Sequence, residues 1–229
     1  MIKFGGFLFT KDLVLYIDAA NPKCFNSGDQ TCKNLIGGGL LTGANGSPLA
    51  GTHTPNPNNF PLYSSDFGGV FNFVNTLTNP KGMNVEEDLG TSTEMTLCVW
   101  LNSNSTSNQY VCDGRNDGGQ WFFLNYLGYG VNYTAQLRYL PNTDFTNKWV
   151  HMTVTSNASG SKLYYNANEV SGLFSNTSID EDLGKNFRIG TRYTTVNPFS
   201  GKMGSFMIYK RVLTPSEIKE VFITTNRFL

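Results

Sequence analysis

The final segment of the chain constrains its fold more than any other part. Residues 202–209 are apolar, aromatic and β-branched, which is typical of a strand. Met203, Phe206 and Ile208 do not alternate strictly, and a β-bulge at residues 204–205 would bring all three to one face. We therefore predict a core strand that is bent at this pair.

A helix start follows in the sequence Thr214-Pro215-Ser216-Glu217. The Thr214 side chain can accept a hydrogen bond from the backbone N–H of Glu217, whose carboxylate can accept one from the backbone N–H of Thr214. Proline at the first helical position lacks only a donor that would be unpaired there. Ile218, Val221 and Phe222 then recur at helical spacing. The pattern predicts one short helix of about two to three turns.

The same segment resembles the end of a laminin-G-like, concanavalin A-type β-sandwich. In that family a G-K-[IM]-x-x-[FV]-x-I-Y-x-R-x-L-[ST]-x-x-E-I pattern forms the last core strand and a short helix. The positions that carry the pattern are Gly201-Lys202-Met203, Phe206, Ile208-Tyr209, Arg211, Leu213-Thr214 and Glu217-Ile218. The resemblance is specific in order and spacing, and it implies a fold without implying a function.

The first clear strand carries a second resemblance. Residues 12–23, D-L-V-L-Y-I-D-A-A-N-P-K, are similar to the opening of laminin-G-like proteins in tailed-phage virions and some bacterial surface proteins. Those relatives continue with W-x-D-L-S-G-N-G. Here Cys32 and Asn34 stand in place of the Trp and the Asp. The change puts in doubt any role of that Asp in a metal site or a turn.

Many short strand patterns separated by turn residues favour a β-sandwich or jelly roll. The resemblance covers about residues 12–228 and implies an all-β, concanavalin A-like jelly roll of two antiparallel sheets with one short C-terminal helix. Sandwiches of about this length commonly form one domain. We therefore predict an N-terminal arm or edge strand at residues 1–10 and one laminin-G-like domain at 11–229.

The charge balance argues against two classes of partner. Lys plus Arg and Asp plus Glu are both 17, and charged residues make up 15% of the 229 residues. Such a chain does not favour nucleic acid or an anionic membrane as a partner. No apolar run is long enough to span a bilayer, so no membrane insertion is expected. The first residues do not resemble a signal peptide, which predicts synthesis in a cytoplasm without export.

The four cysteines are Cys24, Cys32, Cys98 and Cys112. Cys24 and Cys32 bracket a polar turn and could form a disulfide if the geometry permits. Four reduced thiols are the plainer interpretation in a cytoplasmic protein. No C-x-x-C motif is present, and His53 and His151 are remote from the cysteines, so we predict no metal site of the zinc type.

Glycoside hydrolysis is the first enzymatic alternative, because some relatives of this sandwich are glucanases. Retaining enzymes of that kind hold two carboxylates roughly 5–5.5 Å apart. The acidic clusters at residues 86–88 and 180–182 are each followed by Leu-Gly and lack a third carboxylate, which is typical of solvated turns. His151 fits a half-buried structural position better than a general base. We therefore predict that the chain is not an enzyme.

Glycan binding is the second alternative. Sugar sites combine acidic or amide groups with aromatic faces, and the best candidate set lies in and after one glycine-rich loop. Its members are Asp113, Arg115, Asn116, Asp117 and Trp121. An ordinary turn followed by core aromatics explains the same pattern. Asp113 and Asp117 could also bind calcium with backbone carbonyls, although their spacing completes no calcium-loop motif, so no cofactor is expected.

A structural role in a virion is the third alternative and the one we favour. The resemblance implies a head-decoration, fibre or tail-associated protein, which would be made in the host cytoplasm and displays a lectin-like domain. Its partners would be other virion proteins, further copies of itself, and a surface polysaccharide. The apolar arm that would dock on a neighbouring subunit, or pack on the domain, contains Phe4, Phe7, Leu8 and Phe9. The runner-up is an extracellular carbohydrate-binding module.

Overall fold

The computed structural model describes residues 9–44, 56–74, 80–105, 107, 109–114, 121–125, 128–131, 146–170, 181–183, 187–191 and 197–229. Three strands, at 121–125, 128–131 and 181–182, are described through their backbone pairing alone. The described part is two antiparallel sheets, a small two-stranded sheet and one α-helix. This architecture confirms the predicted sandwich of two antiparallel sheets with one C-terminal helix.

The first sheet holds both ends of the domain. Its strands run in the order β14-β13-β12-β8-β17-β5-β4, and β1 also pairs with β17. They are β1 (Leu13–Asp18), β4 (Leu62–Ser64), β5 (Val70–Phe73), β8 (Met95–Ser103), β12 (Val150–Asn157), β13 (Gly160–Tyr165), β14 (Asn168–Glu169) and β17 (Gly201–Tyr209).

The second sheet runs in the order β11-β10-β9-β16-β6-β3-β2. Its strands are β2 (Cys32–Lys33), β3 (Leu40–Gly43), β6 (Met83–Val85), β9 (Gln109–Asp113), β10 (Trp121–Asn125), β11 (Gly128–Val131) and β16 (Arg188–Ile189). The remaining elements are the pair β7 (Thr91–Ser92) and β15 (Glu181–Asp182), two 3-10 turns at Pro57–Asn59 and Asp66–Gly68, and helix α1 (Pro215–Thr225).

The hydrophobic core is divided by the first sheet. One large buried cluster joins residues of both sheets, including Leu15, Phe71 and Phe206 from the first sheet and Leu41 and Met83 from the second. A second cluster lies on the opposite face of the first sheet, where α1 contributes to it. Its members are Leu13, Cys98, Tyr164, Met207, Tyr209, Leu213, Ile218 and Val221. The first sheet is therefore covered on both faces, as its nearly continuous apolar strands require.

The bulge predicted in β17 is present. Its register against β8 shifts between Met203 and Phe206, so that Gly204 and Ser205 stand opposite a single residue of β8. Met203, Phe206 and Ile208 consequently all belong to the main core. A Cβ on Gly204 would lie 2.1 Å from the Phe228 ring, so the bulge also needs glycine to admit the C-terminal aromatic residue.

Helix α1 begins with the predicted capping box. The Thr214 hydroxyl accepts from the backbone N–H of Glu217 (3.3 Å), and the Glu217 carboxylate accepts from the backbone N–H of Thr214 (2.8 Å). Arg211 donates to both oxygens of that carboxylate at 2.9 and 2.8 Å, and this pairing lowers the pKa of Glu217 to about 2. At the other end, Trp100 Nε1 donates to Thr225 Oγ1 (2.8 Å). None of the helices described is long and apolar enough to cross a bilayer.

Asp18, at the end of β1 and within the opening motif, binds the C-terminal tail. Arg227 donates from both terminal nitrogens to the Asp18 carboxylate (2.6 and 3.1 Å) and also to the carbonyl of Gly69 (3.0 Å). The Asp18 carboxylate also accepts from the backbone N–H of Ala20 (3.0 Å). The motif is therefore explained by a buried ion pair that joins the beginning of the domain to its end.

Asn34, which replaces the acidic residue of the related proteins, holds the start of β1. Its Oδ1 accepts from the backbone N–H of Tyr16 (2.9 Å) and of Ile36 (3.0 Å). Its Nδ2 donates to the carbonyl of Val14 (2.8 Å) and to Glu87 (2.5 Å). The amide thus forms a turn, and only an amide can make both kinds of bond at this position.

His151 is a buried, uncharged residue on the helix side of the first sheet. It is the register partner of Trp100 and also contacts the Phe222 ring, and its side chain is 1% exposed. Its Nδ1 has no hydrogen-bond partner among the described residues. Burial lowers the pKa of His151 to about 3. This environment agrees with a structural residue, although His151 is fully buried and not half-buried as predicted, and it keeps the imidazole uncharged at neutral pH.

Stability is expected to fall on mild acidification because of His151. The unfolded chain binds a proton at the ordinary histidine pKa of about 6.5, whereas the folded chain does not until about pH 3, so the loss begins near pH 6.5. Between pH 7 and 5 the unfolding free energy should drop by about 2 kcal/mol from this group. Urea unfolding of the wild type and of His151→Gln measures the slope, with His53→Gln as the control. An equal slope in all three proteins would contradict this assignment.

Candidate binding site

A row of polar side chains crosses the outer face of the second sheet. Backbone register places Thr42 beside Asn84, Asn84 beside Arg188, and Arg188 beside Asp113, on β3, β6, β16 and β9. Residues directly opposite each other in antiparallel strands share one face of a sheet. We call Thr42, Asn84, Arg188 and Asp113 the polar row. The next register position, on β10, is Trp121.

The short strands place these residues away from the core. Asn84 lies between Met83 and Val85, and Arg188 lies between Phe187 and Ile189, all four of which belong to the main core. Because successive side chains in a strand point to opposite faces, the polar residue between two core residues faces outward. The polar row therefore lies on the face of the second sheet that does not contact the first sheet.

The polar row is buried and incompletely bonded. The exposed fractions are 0% for Asn84, 5% for Arg188 and 2% for Asp113. Arg188 Nε and Nη1 and Asn84 Oδ1 have no hydrogen-bond partner among the described residues. Burial lowers the pKa of Arg188, and the neighbouring Asp113 carboxylate opposes that change. Buried polar atoms without partners are rare, and His151 Nδ1 and Arg227 Nε are the other such side-chain atoms among the described residues.

One end of the row reaches solvent at Glu86. The exposed Glu86 carboxylate accepts hydrogen bonds from the Thr42 hydroxyl and from Asn84 Nδ2 (3.2 Å). The next residue, Glu87, turns the other way and accepts from Asn34. The acidic cluster at residues 86–88 is therefore divided between a structural contact and the polar row.

The chemistry of the row suits an uncharged ligand rich in hydroxyl groups. Arg188 offers two unused donors, and Asn84 offers one unused acceptor on the adjacent strand. A hydroxyl group both donates and accepts, so a polyol can satisfy all three atoms. A carboxylate ligand would lie close to Asp113 and Glu86 as well as to Arg188, and like charges oppose one another.

The structure brings together only part of the sugar site predicted from the sequence. Asp113 and Trp121 are register partners at the end of the polar row. Arg115, Asn116 and Asp117 lie outside the described residues. Sequence reasoning missed Thr42, Asn84, Arg188 and Glu86. A single polar residue between two apolar ones, as in Met83-Asn84-Val85 and Phe187-Arg188-Ile189, was the available signal.

No group of three or more potential metal ligands comes together in the part of the chain that the structure describes. Of the two acidic residues considered for calcium, Asp113 is in the polar row and Asp117 is outside the described residues. Calcium binding at this pair stays a prediction.

The other predicted sites lie elsewhere. Phe4, Phe7 and Leu8 of the arm are outside the described residues, whereas Phe9 is partly buried and packs against the cluster beneath α1 in its own domain. That contact matches packing on the domain, one of the two alternatives for the arm. Cys24 and Cys32 are free, buried thiols near each other, and their disulfide stays a prediction.

Comparison with known proteins defines the family. Residues 78–219, more than half of the chain, match the model of the concanavalin A-like lectin/glucanases superfamily (Laminin_G_3). The chain belongs to this family. No curated protein gives a match.

Several solved structures have a similar fold at low identity. Domain 4 of AbnA, a GH43 extracellular arabinanase from Geobacillus stearothermophilus in complex with arabinotriose, is 17% identical with a TM-score of 0.63, over 92% of this chain and 98% of that one. A botulinum neurotoxin DC binding domain in complex with rat synaptotagmin II is 11% identical (TM-score 0.63), over 94% and 52%. Trypanosoma rangeli sialidase is 15% identical (TM-score 0.59), over 96% and 34%.

This chain therefore spans nearly all of the arabinanase domain but only about half of the toxin domain and a third of the sialidase. At these identities the similarity shows the fold alone.

Two asparagine substitutions distinguish a binding role from a structural one. Asn84→Leu removes an Oδ1 acceptor without a partner among the described residues and the bonds that Nδ2 donates to Glu86 (3.2 Å) and to the Val85 carbonyl (3.4 Å), so its unfolding free energy should fall by about 1–2 kcal/mol. Asn34→Leu is the matched control, because it breaks four hydrogen bonds and should lose at least about 3 kcal/mol. Urea unfolding measures both. Equal losses would show that Asn84 is kept for stability.

Proposed function

We propose that the protein is a non-catalytic carbohydrate-binding domain whose polar row contacts an uncharged saccharide. The observation that carries this proposal is the set of unpaired atoms on Arg188 and Asn84, which lie on adjacent strands and are buried. Burying an unpaired polar group lowers stability by about 1–3 kcal/mol. A ligand that satisfies such groups on binding gives a reason to retain them.

The comparisons support a sugar ligand. The chain belongs to a superfamily of lectins and glucanases, and one similar domain was solved in complex with arabinotriose. An aromatic residue at the end of a polar row would add a flat apolar surface, and Trp121 holds the register position next to Asp113.

The proposal excludes catalysis. A retaining glycosidase needs two carboxylates on one face at a short separation. In the cluster at residues 86–88, Glu87 accepts from Asn34, and Glu86 extends to the polar row. The other carboxylate of the row, Asp113, is on β9, and β16 with Arg188 lies between it and β6, so two strand spacings, roughly 10 Å, separate β9 from β6. This division supports binding without hydrolysis.

The domain is further proposed to be displayed on a phage virion, with secretion or display on a cell surface as the alternative. The opening motif at residues 12–23 resembles that of laminin-G-like proteins in tailed-phage virions, which supports the first location, and that of some bacterial surface proteins, which supports the alternative. The ion pair that Asp18 of this motif makes with Arg227 shows that the motif also serves the fold itself. A protein partner is compatible with this scaffold, since the similar toxin domain was solved with synaptotagmin bound.

A neutral-oligosaccharide array tests the binding proposal. Wild-type protein should bind at least one neutral oligosaccharide, and Arg188→Met should weaken that binding at least about tenfold, because it removes both unused donors. Lys162→Met is the control, since Lys162 lies exposed on β13 in the other sheet. Incubation should release no new reducing ends. Equal binding by wild type and Arg188→Met would refute the site, and hydrolysis would refute the non-catalytic assignment.

A truncation tests the virion proposal separately. Deletion of residues 1–8 leaves Phe9 on its own domain, so the urea midpoint should stay unchanged while incorporation into particles is lost. Electron microscopy and mass spectrometry of purified particles measure occupancy. Full occupancy by the truncated protein would overturn the docking role of the arm.

A further inference from the structure

Cys24 and Cys32 meet where the two sheets join. Cys24 follows β1 of the first sheet, and Cys32 begins β2 of the second. The backbone N–H of Lys33 donates to the carbonyl of Cys24 (2.8 Å), which holds the two segments side by side. Both side chains are buried in the main core, and neither is in a disulfide.

The turn between the two cysteines already has a closed form. The backbone N–H of Asp29 donates to the carbonyl of Asn26 (3.0 Å), and the backbone N–H of Asn26 donates to the Asp29 carboxylate (3.1 Å). Gly28 supplies the left-handed backbone that this turn requires, with φ of 99°. This turn and the bond from Lys33 to Cys24 together bring the two ends of the loop side by side.

The two thiols differ in their chemistry. The neighbouring Cys32 thiol lowers the pKa of the Cys24 thiol, and so does the hydrogen bond that the backbone N–H of Asp18 donates to Cys24 Sγ (3.4 Å). Burial raises the pKa of Cys32 well above its ordinary value. Because the thiolate is the nucleophile in exchange reactions, Cys24 should attack first and Cys32 second.

We propose that Cys24 and Cys32 form a reversible disulfide that links the two sheets, by exchange with a small-molecule disulfide. The Cys24 thiolate attacks one sulfur of the small disulfide and displaces the other half as a thiol. Cys32 then attacks the Cys24 sulfur of the mixed disulfide and displaces the second half. One S–S bond forms in the protein, one breaks in the reagent, and the two protein thiol protons end on the two released thiols.

The position of Cys24 and Cys32 should make them react before the other two cysteines. Residues 26–30 of the turn are all exposed, so opening of this turn alone reaches the thiols. Cys98 instead lies on β8, between β12 and β17 in the first sheet, and Cys112 lies on β9 between two neighbours of the second sheet. Those thiols should react only when a sheet opens.

The test uses the purified full chain in buffers of defined ratio of reduced to oxidised glutathione. After acid quenching and alkylation, peptide mapping by mass spectrometry should find Cys24 linked to Cys32 in oxidising buffer. Cys98 and Cys112 should become accessible only in denaturant. Reduced glutathione should restore both free thiols.

Two variants test the order of attack and the choice of cysteines. Cys32→Ser should stop at a mixed disulfide between glutathione and Cys24, whereas Cys98→Ser should behave as the wild type. The proposal is overturned if the wild type keeps both thiols free at every glutathione ratio, including after refolding in oxidising buffer. Pairing of either thiol with Cys98 or Cys112 would overturn it equally. Because the wild type alone gives these outcomes, a variant that fails to fold does not weaken the test.

Discussion

The ion pair between Asp18 and Arg227 is the interaction on which the rest of the first sheet depends. It joins the end of the first strand to the tail that follows the last helix, and both side chains are almost fully buried. Breaking such a pair by removing one partner typically lowers stability by about 3–5 kcal/mol, because the other charge is left buried. The Arg227 guanidinium also binds backbone carbonyls of Gly69 and Gly204, so it orders the turn before β5 and the bulge in β17. The tail then carries Phe228 onto Trp149, with ring centroids 4.1 Å apart.

The two sheets differ in how completely their buried polar groups are bonded. In the first sheet and in the segments beside it, the side chains of Asp18, Asn34 and Trp100 have partners that match their donors and acceptors. His151 Nδ1 and Arg227 Nε are isolated exceptions among the described residues. In the second sheet, Arg188 and Asn84 together have three atoms without partners among the described residues, and they lie on adjacent strands. Complete bonding fixes a structure, whereas incomplete bonding lowers stability unless something else binds. The concentration of three unpaired atoms on adjacent strands is the physical reason for assigning binding to the second sheet.

Local chemistry explains which features could be predicted from the sequence. The capping box, the helix face and the bulge at Gly204 depend on residues within a few positions of one another, and all three are present. The polar row depends on register between strands that are distant in the chain, such as Asn84 and Arg188 or Arg188 and Asp113. Residue spacing along the chain does not show which residues are neighbours across strands. Asp113 and Trp121 were therefore identified, but Arg188 was missed. Asn34 was noted only as a departure from the related proteins, since its four bonds involve residues on both sides of a turn and Glu87 far along the chain.

Asp18 contacts both the C-terminal tail and one cysteine of the proposed disulfide. Its carboxylate binds Arg227, while its backbone N–H donates to Cys24 Sγ. A disulfide between Cys24 and Cys32 would therefore form beside the ion pair of Asp18 and Arg227. It would link the segment that follows β1 to β2 at the edge of the second sheet. The polar row crosses β3, β6, β16 and β9, and β2 borders it only through β3. A disulfide at this edge should thus change the stability of the junction between the sheets. It should leave the unpaired atoms of Arg188 and Asn84 in place, so that the redox state of the cysteines and sugar binding vary independently.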